Sequence, residues 1–538
     1  MSLMVLARCL AGLLLLLLAA GIGIRLFYPL PPLDPRPASR HPDNTRDTPL
    51  GRGTAALMEG HPDLSGVHML GDGRDAFAAR ILLARAATRT LDIQYYIWHG
   101  DISGTLMLEA VRQAADRGVR VRMLLDDNGI GGLDATLAAL ARHPGVEIRL
   151  FNPFILRRPK MLGYLADFPR LNRRMHNKSF TADNQATIIG GRNIGDEYFG
   201  ARQEGLFADL DVLAIGPVVD AVSHDFDRYW DSQSAYPADR ILAPVPESEL
   251  ARLAKQASIL ERERAAQDYV SAVRSLPFIE QVMSGSLALE WAHVQMISDD
   301  PAKTIGKARK DALLAPALAR IIGHPRKEVR LISGYFVPTE AGVDGFAALS
   351  AQGRDVAIFT NAFEATDVWI VHAGYAERRK ALLRSGVRLF EMRRPQQDGV
   401  SGRRKFINTG SGSRGGNSGG TEGPVLRSSN ATLHAKTFAI DREKLCIGSF
   451  NFDPRSLHLN TELMFVIESP ALAAGVSDAF AGHVPQIAYE VILTKDGKLN
   501  WREQGPAREK LHTTEPGTTR LQRLAIAILS RMPIEWML

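Results

Sequence analysis

Short apolar runs and helically spaced apolar residues follow one another along this chain in an order that occurs twice. In the first half, 91–97 and 119–125 have the β-branched and apolar character of strands. Between them, 106–117 has helical spacing and stops at Gly118. A further helix is predicted over 133–142, and a third strand over 146–151 follows Gly145. In the second half, strands at 329–336, 356–359 and 387–390 and a helix over 341–351 repeat the order. The β-α-β alternation predicts an α/β layer fold. The repeat is too long for a solenoid and describes a fused pair of domains.

The pattern also divides the rest of the chain. Residues 1–28 hold Arg8, an apolar run from Cys9 to Ile24 and Arg25, which reads as a signal peptide or membrane anchor. Residues 29–55, rich in Pro, Arg and Asp, read as a linker, and 56–245 form the first domain. Residues 246–284 connect the halves, with Leu250, Leu253, Ala257 and Leu260 on one helical stripe. The second domain spans 285–500. In the tail, 501–538, Leu521, Leu524, Ala525, Ile528, Leu529 and Met532 share a helical face flanked by Arg520, Arg523 and Arg531. Together with Trp536, that face suits either an interfacial helix or one docked on the protein's own core. The Gly/Ser-rich stretch 409–423 reads as a surface loop.

Composition narrows this little. At 538 residues, two domains are expected, and 45% apolar with 23% charged residues is globular. A net charge of +6 suits an anionic partner, lipid or nucleic acid. Two cysteines, Cys9 and Cys446, give no disulfide framework, and no Cys/His cluster has zinc spacing.

The chemistry lies in a duplicated motif. His176, Lys178, Asp183 and Asn193 recur as His434, Lys436, Asp441 and Asn451 (434 − 176 = 258, and likewise for the others). The same register reaches Glu204 and Glu462. His and Lys two residues apart share a face of a strand and can enter one pocket. Two lysines and two asparagines around a phosphodiester would stabilise the charge that develops when phosphorus is attacked. One neutral imidazole can attack, while the other, protonated, serves the departing and arriving alcohols. Glu204 and Glu462 are the candidates for orienting the rings. Asp183 and Asp441 complete the catalytic motif, but their odd spacing points to structural hydrogen bonding beside the pocket. No metal ligands or cofactor are expected.

These residues resemble the phospholipase D superfamily, whose mark is a pair of H-x-K-x(4)-D motifs. The stretches MHNKSFTADNQATIIGGRNIGDEYF, LDVLAIGPVV and LHAKTFAIDREKLCIGSFNFDPRS are similar to bacterial cardiolipin synthases of the C-type branch. The segments 95–98, 124–128, 298–303 and 371–375 fit the same branch, and the likeness runs from about residue 57 to the C-terminus. The resemblance implies two duplicated phospholipase D-like α/β domains, mixed sheets between helices, sharing one active-site cleft. It implies metal-independent phosphatidyl transfer through a phosphohistidine, with His176 as nucleophile and His434 as acid/base. Lys178, Lys436, Asn193 and Asn451 would hold the phosphate. The implied substrates are phosphatidylglycerol and a second glycerophospholipid such as phosphatidylethanolamine, at a bacterial inner membrane, with the enzyme anchored or peripheral. A phospholipase D hydrolase or a nuclease on the same site is the alternative; Arg157, Arg158, Lys160, Arg173 and Arg174 could meet either nucleic acid or headgroups. The hydrophobic termini favour lipid, and no nucleic acid is expected.

Overall fold

A computed structural model describes residues 3–36, 39–200, 209–366, 368–394, 433–505 and 509–531. The loop at 409–423, Glu204 and the terminal Trp536 lie outside the described residues.

The first half contributes β1 (Ser65–Leu70), β2 (Thr90–Ile97), β3 (Arg120–Gly129), β4 (Val146–Phe151), β5 (Ser179–Ala182), β6 (Ala186–Gly190), β7 (Asp211–Ile215) and β8 (Ala235–Pro237). The second contributes β9 (Glu290–Ser298), β10 (Glu328–Ser333), β11 (Asp355–Asn361), β12 (Arg388–Met392), β13 (Lys436–Ile440), β14 (Lys444–Gly448), β15 (Leu463–Glu468) and β16 (Ala488–Leu493), followed by β17 (Leu499–Glu503) and β18 (Lys510–His512). Pairing gives the order 1-7-6-5-2-3-4-8 in the first sheet. The second runs 9-15-14-13-10-11-12-16, the same order strand for strand. β2, β3 and β4 are parallel, as are β10, β11 and β12, and the remaining neighbours are antiparallel. The parallel strands are almost wholly buried, as strands covered on both faces must be. β9 pairs with β1 through its first three residues and with β15 through its last six, so it joins the two sheets.

The helices between the parallel strands are capped by local side chains. Asp101 accepts from Gly104 N–H at the start of Ile102–Asp116, and Thr339 does the same for Gly342 at the start of Glu340–Ala351. One apolar cluster crosses the boundary between halves: Ile189, Val212 and Ala214 of the first pack with Leu445, Ile447 and Phe465 of the second. Burial of these side chains holds the two strand ends that carry the motifs against each other.

The connecting helix Ser248–Leu260 buries Leu253 and Ala257 against the first half's core. The expected linker is a strap along the first half: Arg240 donates to Leu33 O, Arg122 to Ser39 O, and His41 Nδ1 meets Asp227 at 2.6 Å. It ends inside the helix Pro49–Met58. At the N-terminus, the helix Leu3–Phe27 touches the protein through Gly21, which lies against the backbone of Leu165. Residues 11–20 are exposed all round. Among the described residues no helix is long and apolar enough to cross a membrane.

Candidate active site

His176 and Lys178 stand just before β5, and His434 and Lys436 occupy the equivalent place at the entry to β13. The histidines therefore precede the strands rather than lying within them as the sequence reading had it. β5 runs antiparallel to β2 with Ser179 opposite Gln94, so His176 lies level with the C-terminal end of β2. Lys436 opposite Ser333 puts His434 beyond the same end of β10.

The halves meet here through backbone and side chains together. His176 N–H donates to Thr461 O, and Thr461 N–H to Arg174 O. Thr461 Oγ1 donates to Asn177 Oδ1 at 2.8 Å. His176 Nδ1 is 2.9 Å from Glu462 Oε2 and 3.1 Å from Ser449 O. His434 Nδ1 is 2.6 Å from Asp209 Oδ2. Each imidazole is thus oriented by a carboxylate of the opposite half, which fixes the proton on Nδ1 and leaves Nε2 for the reacting centre.

The partner of His434 is Asp209, which the sequence reading missed. The step of 258 holds through Ile189, whose counterpart is Ile447. It then fails: Ile189 pairs with Val212, and Ile447 with Phe465 (465 − 212 = 253). The first half carries five more residues between Asn193 and β7 than the second carries between Asn451 and β15 (258 − 253 = 5). Glu462 corresponds in space to Asp209 (462 − 253 = 209). A usable signal was present, since both carboxylates stand just before an apolar strand.

Neighbouring small residues suit each carboxylate. A Cβ at Gly191 would lie 2.1 Å from Asp209 Oδ1, so only glycine leaves that carboxylate in place. The matching position in the second half is Ser449, whose hydroxyl donates to Glu462 Oε2 at 2.5 Å. Ser456 donates to Glu462 Oε1 at 2.7 Å, and Glu462 N–H donates to Asp299 Oδ2 at 3.0 Å. Lys303 Nζ, 2.9 Å from Asp299, completes a buried frame behind His176.

The lysines are buried, and each ammonium donates to the carbonyl of its own histidine, Lys178 to His176 O and Lys436 to His434 O. Asn193 spends its carbonyl on Ile97 N–H and leaves Nδ2 buried and unpartnered; Asn451 leaves Oδ1 so. The unpartnered Nδ2 of Asn193 is a donor suited to a ligand's phosphate oxygen, whereas the unpartnered Oδ1 of Asn451 is an acceptor suited to a ligand's hydroxyl. Tyr96 packs edge-on against His176 at 5.0 Å, and Tyr198 against His434 at 5.3 Å.

Burial, reinforced by Lys178, Lys436 and His434, holds His176 well below the usual imidazole range. Burial also lowers His434 and Lys436 adds to this, but Asp209 opposes it. Asp209 stays ionised despite its burial because His434, Lys436 and Arg192 surround it. Burial pushes Lys178 down to about 7 and Glu462 up to about 7. The asymmetry leaves a neutral imidazole at 176 and puts the better-supported cation at 434.

Asp183 and Asp441 are elsewhere. The four residues of β5 carry Asp183 to the far end of the strand, roughly 17 Å from Lys178 at about 3.3 Å per residue. Its carboxylate accepts from the N–H groups of Thr88, Arg89 and Thr90, and Asp441 accepts from those of Arg326, Lys327 and Glu328. Each opens a hairpin turn with two successive positive-φ residues, Asp183-Asn184 and Asp441-Arg442. They tie the motif's hairpin to the start of β2 or β10 and do not face the reacting centre, which corrects their placement among the catalytic residues.

The model of the "Cardiolipin synthase, PLD-like domain" family matches residues 81–230 and 318–484. The chain is 45% identical over 489 residues to cardiolipin synthase C of Escherichia coli K12, covering 91% of this chain and 99% of that one. A cardiolipin synthase of Staphylococcus aureus is 25% identical over 425 residues, 79% of this chain and 67% of that one. Among solved structures, the phosphatidylserine synthase of Haemophilus influenzae superposes with a TM-score of 0.54 at 12% identity, over 90% of this chain and 99% of that one, which shows the shared fold.

The chain belongs to the cardiolipin synthase family.

Within this family of phospholipase D-like phosphatidyltransferases, the two matched segments are the two halves described above, and each supplies one histidine, one lysine and one orienting carboxylate. Of the basic residues ahead of the first motif, Arg157, Lys160 and Arg174 are occupied, while Arg158 is exposed. Arg157 bonds Asp127 and Asp134, Lys160 bonds Asp127, and the buried Arg174 bonds Asp126. These three brace the end of β3 against the segment that follows β4.

Proposed function

We infer that the protein moves a phosphatidyl group from one glycerophospholipid to the hydroxyl of phosphatidylglycerol, making cardiolipin. The observation that carries this reading is the crossed pairing of His176 with Glu462 and of His434 with Asp209, with Lys178 and Lys436 close to both rings. It fits a two-step displacement on a single phosphorus atom.

In the first step, His176 Nε2 bonds to phosphorus as the donor's P–O bond breaks. His434 gives its Nε2 proton to the departing alcohol oxygen, which is that of glycerol when the donor is phosphatidylglycerol. In the second step, the hydroxyl of phosphatidylglycerol returns a proton to His434 as its oxygen bonds to phosphorus. The N–P bond then breaks and cardiolipin leaves. Lys178, Lys436, Asn193 and Asn451 hold the non-bridging oxygens, where charge grows in both transition states. Asp183 and Asp441 keep the two hairpins in register.

The family resemblance, the apolar N-terminal helix and the lipid chemistry of the relatives support work at a bacterial inner membrane. The test is direct. Purified protein in detergent is given phosphatidylglycerol alone, and with phosphatidylethanolamine, and the lipids are identified by mass. Cardiolipin is expected, with activity retained in excess chelator. Phosphatidic acid as the sole product would replace the reading with a hydrolase.

A further inference from the structure

We propose that the protein rests on an anionic bilayer through two apolar patches, one from each half, that border the open end of the active-site cleft. The inference deepens the lipid-transfer reading and rests on it for the choice of occupant.

The first patch is built on the helix Gly163–Leu171, which lies between β4 and β5 and so at the same strand end as His176. Its Tyr164 hydroxyl is 3.4 Å from Asn128 Oδ1, at the C-terminal end of β3. Its outer side exposes Leu165 and Phe168, continuing from Met161 and Leu162. The N-terminal helix docks on this same element through Gly21. From there, residues 11–20 project with apolar side chains or glycine on every face. A helix with no polar face is solvated by hydrocarbon and not by water.

The second patch belongs to the helix Arg520–Leu529. Its inner side is settled: Ile526 and Leu529 pack on Phe363, Ala373 and Trp369. Glu515, just before it, is clamped by His372 at 2.7 Å and by Arg379. Val337 and Phe363, in that cluster, follow β10 and β11, so this helix covers the strand end that carries His434. Docking in this way turns Leu521, Leu524 and Ile528 outward, where they are 70%, 58% and 54% exposed. The helix docked on the protein's own core is therefore realised, and its opposite face is left apolar and exposed. Exposed arginines adjoin the apolar residues: Arg25 and Arg158 at the first patch, Arg520 and Arg531 at the second. An apolar face rimmed by arginine matches acyl chains beneath anionic headgroups. A bilayer, unlike a protein partner, can touch both halves at once while leaving the cleft between them open to its own lipids.

The experiment uses the full chain with Cys9→Ser, because Cys446 is buried and does not compete for label. An environment-sensitive fluorophore is placed at Phe168→Cys, at Leu524→Cys or at Gln352→Cys, the last lying just before β11 at the opposite strand end. Each protein is mixed with vesicles of phosphatidylcholine, with or without phosphatidylglycerol. The labels at 168 and 524 are expected to shift to the blue and to be quenched by lipids carrying a quencher in their acyl chains. The label at 352 should do neither, and pelleting with vesicles should weaken without phosphatidylglycerol. The proposal is overturned if the protein does not pellet with the mixed vesicles. It is also overturned if either patch label stays water-exposed on bound protein, or if all three labels behave alike. Lipid products from the same vesicles are analysed in parallel, so a docked protein without products would sink the transfer reading alone, and products without buried labels would sink the docking alone.

Discussion

Glu462 of the second half accepts a hydrogen bond from the His176 ring of the first at 2.9 Å, and neither half alone contains both a motif histidine and the carboxylate that orients it. The site exists only in the assembled duplication. Its two pairs differ: the Glu462 side is braced by two serine hydroxyls, whereas Asp209 sits where Gly191 leaves room for it.

The two histidines should fail differently when removed. His176→Ala and His434→Ala are each expected to lower cardiolipin formation by about 10⁴-fold or more, because residues acting as one unit are not additive. Only His434→Ala retains the nucleophile, so it should accumulate a covalent lipid adduct, read by intact mass after acid-free quenching. An adduct in His176→Ala and none in His434→Ala would exchange the roles.

Replacing the carboxylates separates the steps. Asp209→Asn should lower turnover of natural lipids by about 10²–10⁴-fold, since the imidazolium at 434 loses its counter-charge. It should act nearly normally, in the first step, on an aryl phosphodiester whose leaving group needs no proton. Glu462→Gln acts on the nucleophile and should slow both substrates alike. Gly191→Ala should resemble Asp209→Asn, because its Cβ would force that carboxylate aside. Equal sensitivity of both carboxylate variants to leaving-group pKa would sink the crossed assignment.

Most of the fold and much of this site could be read from residue order, and the failures have definite causes. The β-α-β alternation placed β2, β3, β4, β10, β11 and β12 within a few residues, because buried parallel strands are rich in β-branched and apolar residues. Repetition marked the histidines, lysines and asparagines. It misled for Glu204, since a local insertion of five residues does not disturb strand pairing but does shift the numbering, from 258 to 253. Nor could spacing reveal that each carboxylate crosses to the other half, because the crossing is set by the apolar contact between the sheets. The basic residues before the first motif looked available as a sequence, yet Asp126 and Asp127 had already claimed three of them.

A pH dependence follows from Lys178, which burial holds at about 7. An anionic ligand needs the charged form, so kcat/KM should fall as pH rises above about 7, and Lys178→Met should lack that limb while having a much weaker KM. In the ligand-free protein the sign for stability is opposite. The folded chain gives up a proton that the unfolded chain keeps up to the ordinary lysine value, so this group makes stability rise with pH from about 7 towards 10.5. Denaturant midpoints measured across that range for wild type and Lys178→Met check the difference. Identical slopes in the two proteins would overturn the assignment of this limb to Lys178.

The motif aspartates should report on stability and not on chemistry. Asp183 accepts from three successive backbone N–H groups at the start of β2, and Asp441 from three at the start of β10. Removing either carboxylate strands those donors, which costs about 2–4 kcal/mol. The cost should be larger at Asp183, which is fully buried and also holds the Thr88 hydroxyl at 3.1 Å. Asp183→Ala should therefore lower the melting temperature by several degrees more than Asp441→Ala. At low temperature, where both proteins remain folded, kcat per folded molecule should stay within a few-fold of wild type, because each carboxylate lies a whole strand away from the phosphorus. A loss of kcat comparable to that of His176→Ala, in protein shown to be folded, would return these aspartates to the catalytic set.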